Sequence, residues 1–155
     1  MTDEVQILQT AVRGGLKGAD DGTVRLVTAI AGLLAAVAYA DRTITPEESA
    51  QLRAELGRIH GLEVRSVEVI AEILHAHALR FSTAFAPRFS RTLREEGGRE
   101  LCLEVLGMLV ELSASDGKIS LSEVTSLRNL ATSLGLSQAD YNDFQEKHRD
   151  KLSFL

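Results

Sequence analysis

Two acidic turns carry the residue types in this chain that are best suited to chemistry. Each turn follows the pattern Asp-x-x-Ile-[Thr/Ser]-x-x-Glu, which supplies the carboxylate pairs Asp41 and Glu48, and Asp116 and Glu123. Carboxylate oxygens are hard donors that suit Ca²⁺ or Mg²⁺ better than zinc. If the two turns face each other, the four side chains form one shared site for a divalent cation.

The same carboxylates also have a purely structural interpretation. Glu48 stands three residues after Thr45, and Glu123 stands three residues after Ser120. This spacing is typical of a capping box at the start of a helix, in which the glutamate bonds a backbone N–H group. The aspartates fit that interpretation less well, because an acid at the C-terminus of the preceding helix opposes the helix dipole. The sequence leaves both interpretations open.

Other metal and catalytic chemistries fit the chain poorly. Aligning Gly117 with the glycine of an EF-hand loop puts Leu112 and Ala114 at ligand positions, where neither can coordinate calcium. His75 and His77 lie about 200° apart around a helix, so one helix cannot present both to zinc. The sequence offers no nucleophile paired with a base and no phosphate-binding glycine loop, so we expect the chain not to be an enzyme.

The elements that must position the turns form an internal repeat. Each turn follows an apolar run and precedes an amphipathic one, and the match extends outward to Leu34 and Leu109. A repeat at an offset of about 75 residues predicts two copies of one helix–turn–helix unit. We place the two halves at about residues 24–77 and 99–148.

Composition predicts one all-α domain. The chain has 155 residues, of which 45% are hydrophobic and 25% charged, with two prolines and no tryptophan. Abundant alanine, leucine and glutamate favour helices. We expect an N-terminal segment, residues 1–22, with a short helix near its start, followed by a helical domain over residues 23–155. Thr23 is the expected N-cap of a long central helix that other helices enclose.

An aromatic and basic join, residues 78–98, connects the two halves. Phe81, Phe85 and Phe89 recur every four residues, and we expect them to plug one end of the core. The arginines in and just after this join offer a docking patch for an acidic partner or for anionic head groups, with an ordinary solvated surface as the alternative. They are Arg80, Arg88, Arg91, Arg94 and Arg99. The net charge of −5 argues against nonspecific binding of nucleic acid.

The sequence predicts a cytoplasmic protein without a transmembrane segment. Residues 1–20 carry charges and lack the apolar core of a signal peptide. The longest uncharged stretch, Leu26 to Ala40, has 15 residues, fewer than the roughly 20 that span a bilayer. Cys102 is the one cysteine, which excludes a disulfide framework within the chain.

At its acidic turns the chain resembles the TerB-like, tellurite-resistance family of small helical proteins. The mark of that family is a repeated turn, Ala-Asp-Gly-x-Ile-x-x-x-Glu, after an apolar helix, with a Gly-Leu-Ser helix junction near the C-terminus. The corresponding residues are Ala40-Asp41-Arg42-Thr43-Ile44 through Glu48, Ser115-Asp116-Gly117-Lys118-Ile119 through Glu123, and Gly135-Leu136-Ser137. The resemblance covers about residues 24–148.

The resemblance implies an all-α bundle of about seven helices without catalytic machinery. It also implies a stress-response role, binding of a divalent cation by the acidic turns, and docking to a membrane-associated or chaperone partner. Arg42 departs from the usual glycine of the family and places a cation beside Asp41, which would weaken a metal site in the first copy. The alternative is a protein–protein interaction adaptor whose acidic turn residues only cap helices.

Overall fold

A computed structural model describes residues 3–39, 44–115, 117, 119 and 121–146, apart from the side chains of Ser122 and Gln145. Over this part of the chain there are nine α-helices, one short π-helical segment and no β-strand, so the predicted all-α class is confirmed. The helices are α1 (Glu4–Gly15), α2 (Asp21–Ala38), α3 (Pro46–Gly57), α4 (Val64–Ala76), α5 (Ala78–Thr83), α6 (Ala86–Thr92), α7 (Gly98–Ala114), α8 (Leu121–Ser133) and α9 (Gln138–Glu146), and the π segment is Leu93–Gly97.

Helix α2 forms the centre of the bundle, as its nearly continuous apolar sequence predicts. It packs against α1, α3, α4, α5, α6, α7 and α8 and against the π segment. By length and composition alone, Asp21–Ala38 is apolar enough to cross a membrane, but 72% of it is buried inside the protein. Burial against these neighbouring helices accounts for the apolar sequence, as in the core helix of a helical bundle.

The start of α2 differs from the prediction. Asp20, not Thr23, is the N-cap: the backbone N–H of Thr23 donates a hydrogen bond of 2.8 Å to Asp20 Oδ1. This bond lowers the pKa of Asp20. Aspartate is among the best N-cap residues, and its charge also interacts favourably with the N-terminal end of the helix dipole. The predicted cap at Thr23 is therefore wrong.

Helix α1 is an integral part of the bundle. Its buried residues Val5, Leu8 and Val12 belong to the main core, and the helix packs against α2 and α4. It runs on to Gly15, where an added Cβ would lie 2.5 Å from the Cβ of Ser66. Close approach of α1 and α4 thus depends on a glycine, while the domain boundary at residue 22 stays a prediction.

The join consists of α5, α6 and the π segment, and these short pieces raise the number of helices above the seven or so that were expected. The three phenylalanines of the join form one cluster, since the ring centroids of Phe81, Phe85 and Phe89 lie 6.0 to 6.4 Å apart, while their place at one end of the core stays a prediction. Phe89 packs directly on α2 at Gly32, where an added Cβ would lie 2.1 Å from its Cε2 atom.

Candidate functional site

The first acidic turn lies between α2 and α3, and its capping residues are formed as predicted. The backbone N–H of Glu48 donates to Thr45 Oγ1 at 3.0 Å, and the backbone N–H of Thr45 donates to Glu48 Oε1 at 3.1 Å. This pair is a complete capping box, and the Glu48 side chain is 7% exposed. Asp41, the other predicted ligand of this turn, lies outside the described residues.

The second acidic turn lies between α7 and α8. Gly117 has a φ of +88°, a left-handed conformation that favours glycine, and its N–H donates to the carbonyl of Ala114 at 3.0 Å. Ile119 is buried, and Glu123 stands half-buried in the first turn of α8. Asp116 and the predicted cap Ser120 lie outside the described residues, so the capping box of this copy stays a prediction.

The helices that flank the two turns interlock. Helix α3, which follows the first turn, packs against α7, which precedes the second turn. Helix α8, which follows the second turn, packs against α2, which precedes the first, and α2 also contacts α7. Each helix pair therefore contacts both members of the other pair.

Carboxylates from the two turns are not seen together, because half of them lie outside the described residues. Among the residues that the structure does describe, there is no group of three or more His, Cys, Asp or Glu side chains that could hold a metal ion. Two of the four predicted ligands, Asp41 and Asp116, lie outside those residues. The shared four-carboxylate site thus stays a prediction.

The predicted arginine patch divides into two groups. The first group, Arg80 and Arg99, forms ion pairs with acidic residues distant in sequence. Arg80 Nε lies 3.5 Å from Glu4 Oε1, and its guanidinium lies 5.1 Å from the ring centroid of Phe85. Arg99 donates two hydrogen bonds, of 2.9 and 3.1 Å, to the carboxylate of Asp140. These bonds, with those from Ser137, lower the pKa of Asp140 to about 2.

The second group faces solvent. Arg88 and Arg91 stand three residues apart on α6 and therefore share a face of that helix. Both are exposed, and neither guanidinium has a partner within the described part of the chain. Arg94 is also exposed and reaches the carbonyl of Ser133 at 3.5 Å. The cationic surface is thus smaller than the sequence predicted, and it centres on α6.

The family model described as tellurite resistance protein TerB matches residues 27–146. The chain belongs to the TerB family. No curated protein and no solved structure matches it.

The TerB match covers both acidic turns, the join and α9, but it begins inside α2. All four predicted ligands and all five arginines of the predicted patch therefore lie within the TerB domain. Helix α1 lies outside the matched residues, although it packs into the same core.

Sequence reasoning missed a hollow of about 350 Å³ in the TerB domain, which is lined by residues of α3 and α4 and by Tyr39 and Ile44 on either side of the first turn. Tyr39 Oη lies 3.0 Å from His75 Nδ1, and burial raises the pKa of Tyr39. Arg53 bonds the Ser49 side chain one helical turn earlier and both carboxylate oxygens of Glu68 on α4. The hydrogen bond raises the pKa of Arg53 and lowers that of Glu68. Only the Ser49–Arg53 spacing was visible in the sequence.

Proposed function

We propose that this TerB protein is a noncatalytic, stress-associated module of the cytoplasm that binds a divalent cation between its two acidic turns. Asp41, Glu48, Asp116 and Glu123 are the proposed ligands, and Ca²⁺ or Mg²⁺ is the proposed ion because oxygen donors suit these cations. The observation that carries the proposal is the interlocked packing of α2 and α3 with α7 and α8. This packing is what a site built from both turns requires.

Glu48 is suited to ligation by the way it is held. Its Oε1 atom accepts the Thr45 N–H, and the side chain is almost fully buried. An ionised carboxylate has about four lone-pair sites, so accepting a capping bond is compatible with ligating an ion. A ligand fixed in this way loses little conformational entropy when an ion binds.

A second part of the proposal is docking of an acidic protein partner, including a membrane-associated one, on α6. The exposed Arg88 and Arg91 support it, because their charge is not neutralised within the described part of the chain. Sedimentation with vesicles containing an anionic lipid tests the membrane form. We expect Arg88→Ala and Arg91→Ala to weaken sedimentation, whereas Arg65→Ala on α4, an exposed arginine away from α6, serves as the control.

The alternative function is a pure interaction adaptor in which the acidic residues only cap helices. The complete Thr45–Glu48 capping box favours this alternative, since it accounts for one carboxylate without any ion. It does not account for the aspartates of the sequence pattern, because an acid just after a helix is expected to oppose the helix dipole.

Thermal unfolding of the metal-stripped protein with added Ca²⁺, Mg²⁺, Mn²⁺ or Zn²⁺ distinguishes the two functions. An ion at about a hundredfold its Kd adds about 2.7 kcal/mol to the free energy of unfolding, or about 5 to 11 °C in Tm. We expect a saturable rise with Ca²⁺ or Mg²⁺ that disappears in Asp41→Asn and in Asp116→Asn. The exposed Asp143 on α9 supplies the control, Asp143→Asn, which should keep the rise. No rise at millimolar concentrations would leave the adaptor as the function.

A further inference from the structure

An apolar groove of about 860 Å³ lies beside α7 in the part of the chain that the structure describes. Its walls come from α2, α7, α9 and the residues that end α3. Several apolar side chains that line it pack on the core but are only partly buried, namely Leu26, Ile59, Leu101, Leu103 and Met108. Connected apolar surface of this kind marks docking sites in globular proteins.

Helix α9 brings the chain to the edge of this groove. Phe144 lines the groove and packs on α7 at Gly107, where an added Cβ would lie 3.0 Å from Phe144 Cε1. The helix ends at Glu146, two residues later, which is about 3 Å along the helix axis. The residues that follow Glu146 therefore start beside the groove.

The composition of residues 147–155 suits an apolar groove. These residues lie outside the described part of the chain. Residues 147–151 all carry ionisable side chains, whereas Leu152, Phe154 and Leu155 are apolar. Transfer of leucine and phenylalanine side chains from water to an apolar surface is favourable. A polar spacer followed by apolar residues is thus what a segment needs if it begins at the groove edge and packs inside.

The spacer is long enough to bring the apolar residues into the groove. Leu152 stands six residues after the end of α9, and six residues span up to about 20 Å. The lining residues of α7 extend from Leu101 to Glu111, about 15 Å along the helix axis. A short tether gives an effective concentration on the order of millimolar. This proximity favours the chain's own residues over a separate partner as the occupant.

We propose that residues 147–155 dock on the groove of their own chain, with Leu152 and Phe154 packed against Met108 and Phe144. The docked residues cover apolar surface that the described helices leave open, and any partner that binds the groove must first displace them. The inference is independent of cation binding, because the residues that line the groove do not include Glu48 or Glu123.

A tryptophan reporter tests the docking in the full chain. The chain has no tryptophan, so Phe154→Trp introduces a single one. We expect its emission to be blue-shifted and protected from acrylamide quenching, relative to a peptide of residues 147–155 with the same change. Adding Met108→Glu places a charge in the groove and should return both quantities to the peptide values. The matched control is Val69→Glu, at an exposed valine of α4 outside the groove lining, which should keep the burial.

A double-mutant cycle tests the same contact without tryptophan. We expect Phe154→Ser and Met108→Gln each to lower Tm, and their combination to lower it by less than the sum, because each change removes the same contact. The changes in Phe154→Ser and Val69→Gln should add. Circular dichroism records the melts and verifies that each variant folds, and Met108→Gln replaces Met108→Glu in the fluorescence experiment if the charge unfolds the chain.

Three results would each overturn the proposal. They are peptide-like emission from Phe154→Trp, burial of the tryptophan that the changes at Met108 leave intact, and additive changes in Tm for Phe154→Ser and Met108→Gln. Burial that is lost on dilution would assign the groove to the C-terminal residues of a second copy of the chain, which also contradicts docking within one chain.

Discussion

Replacing Glu48 by glutamine separates a helix-capping carboxylate from a cation ligand. Glutamine keeps the side-chain oxygen that accepts the Thr45 N–H at 3.1 Å, and it leaves the bond of 3.0 Å from the Glu48 N–H to Thr45 Oγ1 in place. Loss of the negative charge at the start of α3 costs about 0.3 to 1 kcal/mol. For a chain of this size, we expect Tm of the metal-free protein to fall by no more than about 4 °C.

Two variants serve as controls for Glu48→Gln. Thr45→Ala removes the acceptor of the capping bond and should cost about 1 kcal/mol, or about 2 to 4 °C, with the glutamate charge intact. Glu47→Gln removes an exposed carboxylate from the same helical turn without touching the capping box. All are melted by far-UV circular dichroism, first stripped of metal and then with saturating Ca²⁺ or Mg²⁺.

The added ion decides between the interpretations. We expect wild type, Thr45→Ala and Glu47→Gln to show the rise in Tm, and Glu48→Gln to lose most of it. A rise in Glu48→Gln as large as in the wild type would show that Glu48 is not a ligand. An unchanged Tm for metal-free Thr45→Ala would refute the stabilising role assigned to the capping box.

Three other changes test the packing and electrostatics. Gly32→Ala should lower the free energy of unfolding by about 1 kcal/mol, because overpacking against the Phe89 ring, about 1 to 3 kcal/mol, outweighs the better helix propensity of alanine, about 1 kcal/mol; a higher Tm would contradict this packing. The pKa of Asp140 is about 2, below its ordinary value of 3.8, so its contribution to stability is present above about pH 4 and is lost as the pH falls towards 2. Asp140→Asn should remove that part of the acid dependence, and an unchanged slope in acid titrations would count against the Arg99–Asp140 pair. Ser113 has a buried hydroxyl without a hydrogen-bond partner in the described part of the protein, so Ser113→Ala should raise stability by about 0.5 to 1 kcal/mol in urea unfolding; destabilisation would show that the hydroxyl is bonded.

Features encoded by neighbouring residues were predictable from the sequence. The spacing of Thr45 and Glu48 predicted the start of α3, and the start of α9 has the same local geometry, since the Asp140 N–H donates to Ser137 Oγ at 3.1 Å. Both depend on bonds three residues apart, so the sequence contains the whole interaction. The spacing of the join phenylalanines predicted their clustering for the same reason.

Features that depend on tertiary packing were not predictable. The predicted arginine patch is larger than the observed one because Arg99 donates hydrogen bonds to Asp140, which lies 41 residues away in sequence. The burial of Glu55 was not predicted, because it depends on the packing of α3 against α2 and α7. The predicted cap of α2, Thr23, lies three residues after the observed cap, Asp20, so the helix begins earlier than predicted.

A calorimetric titration of the metal-free protein with Ca²⁺ and with Mg²⁺ tests the shared site most directly. A site built from both turns predicts one ion per chain, with binding abolished by either Asp41→Asn or Asp116→Asn alone. Binding that both single variants keep, or an absence of binding up to millimolar ion, would contradict the account and assign the acidic turns to helix capping.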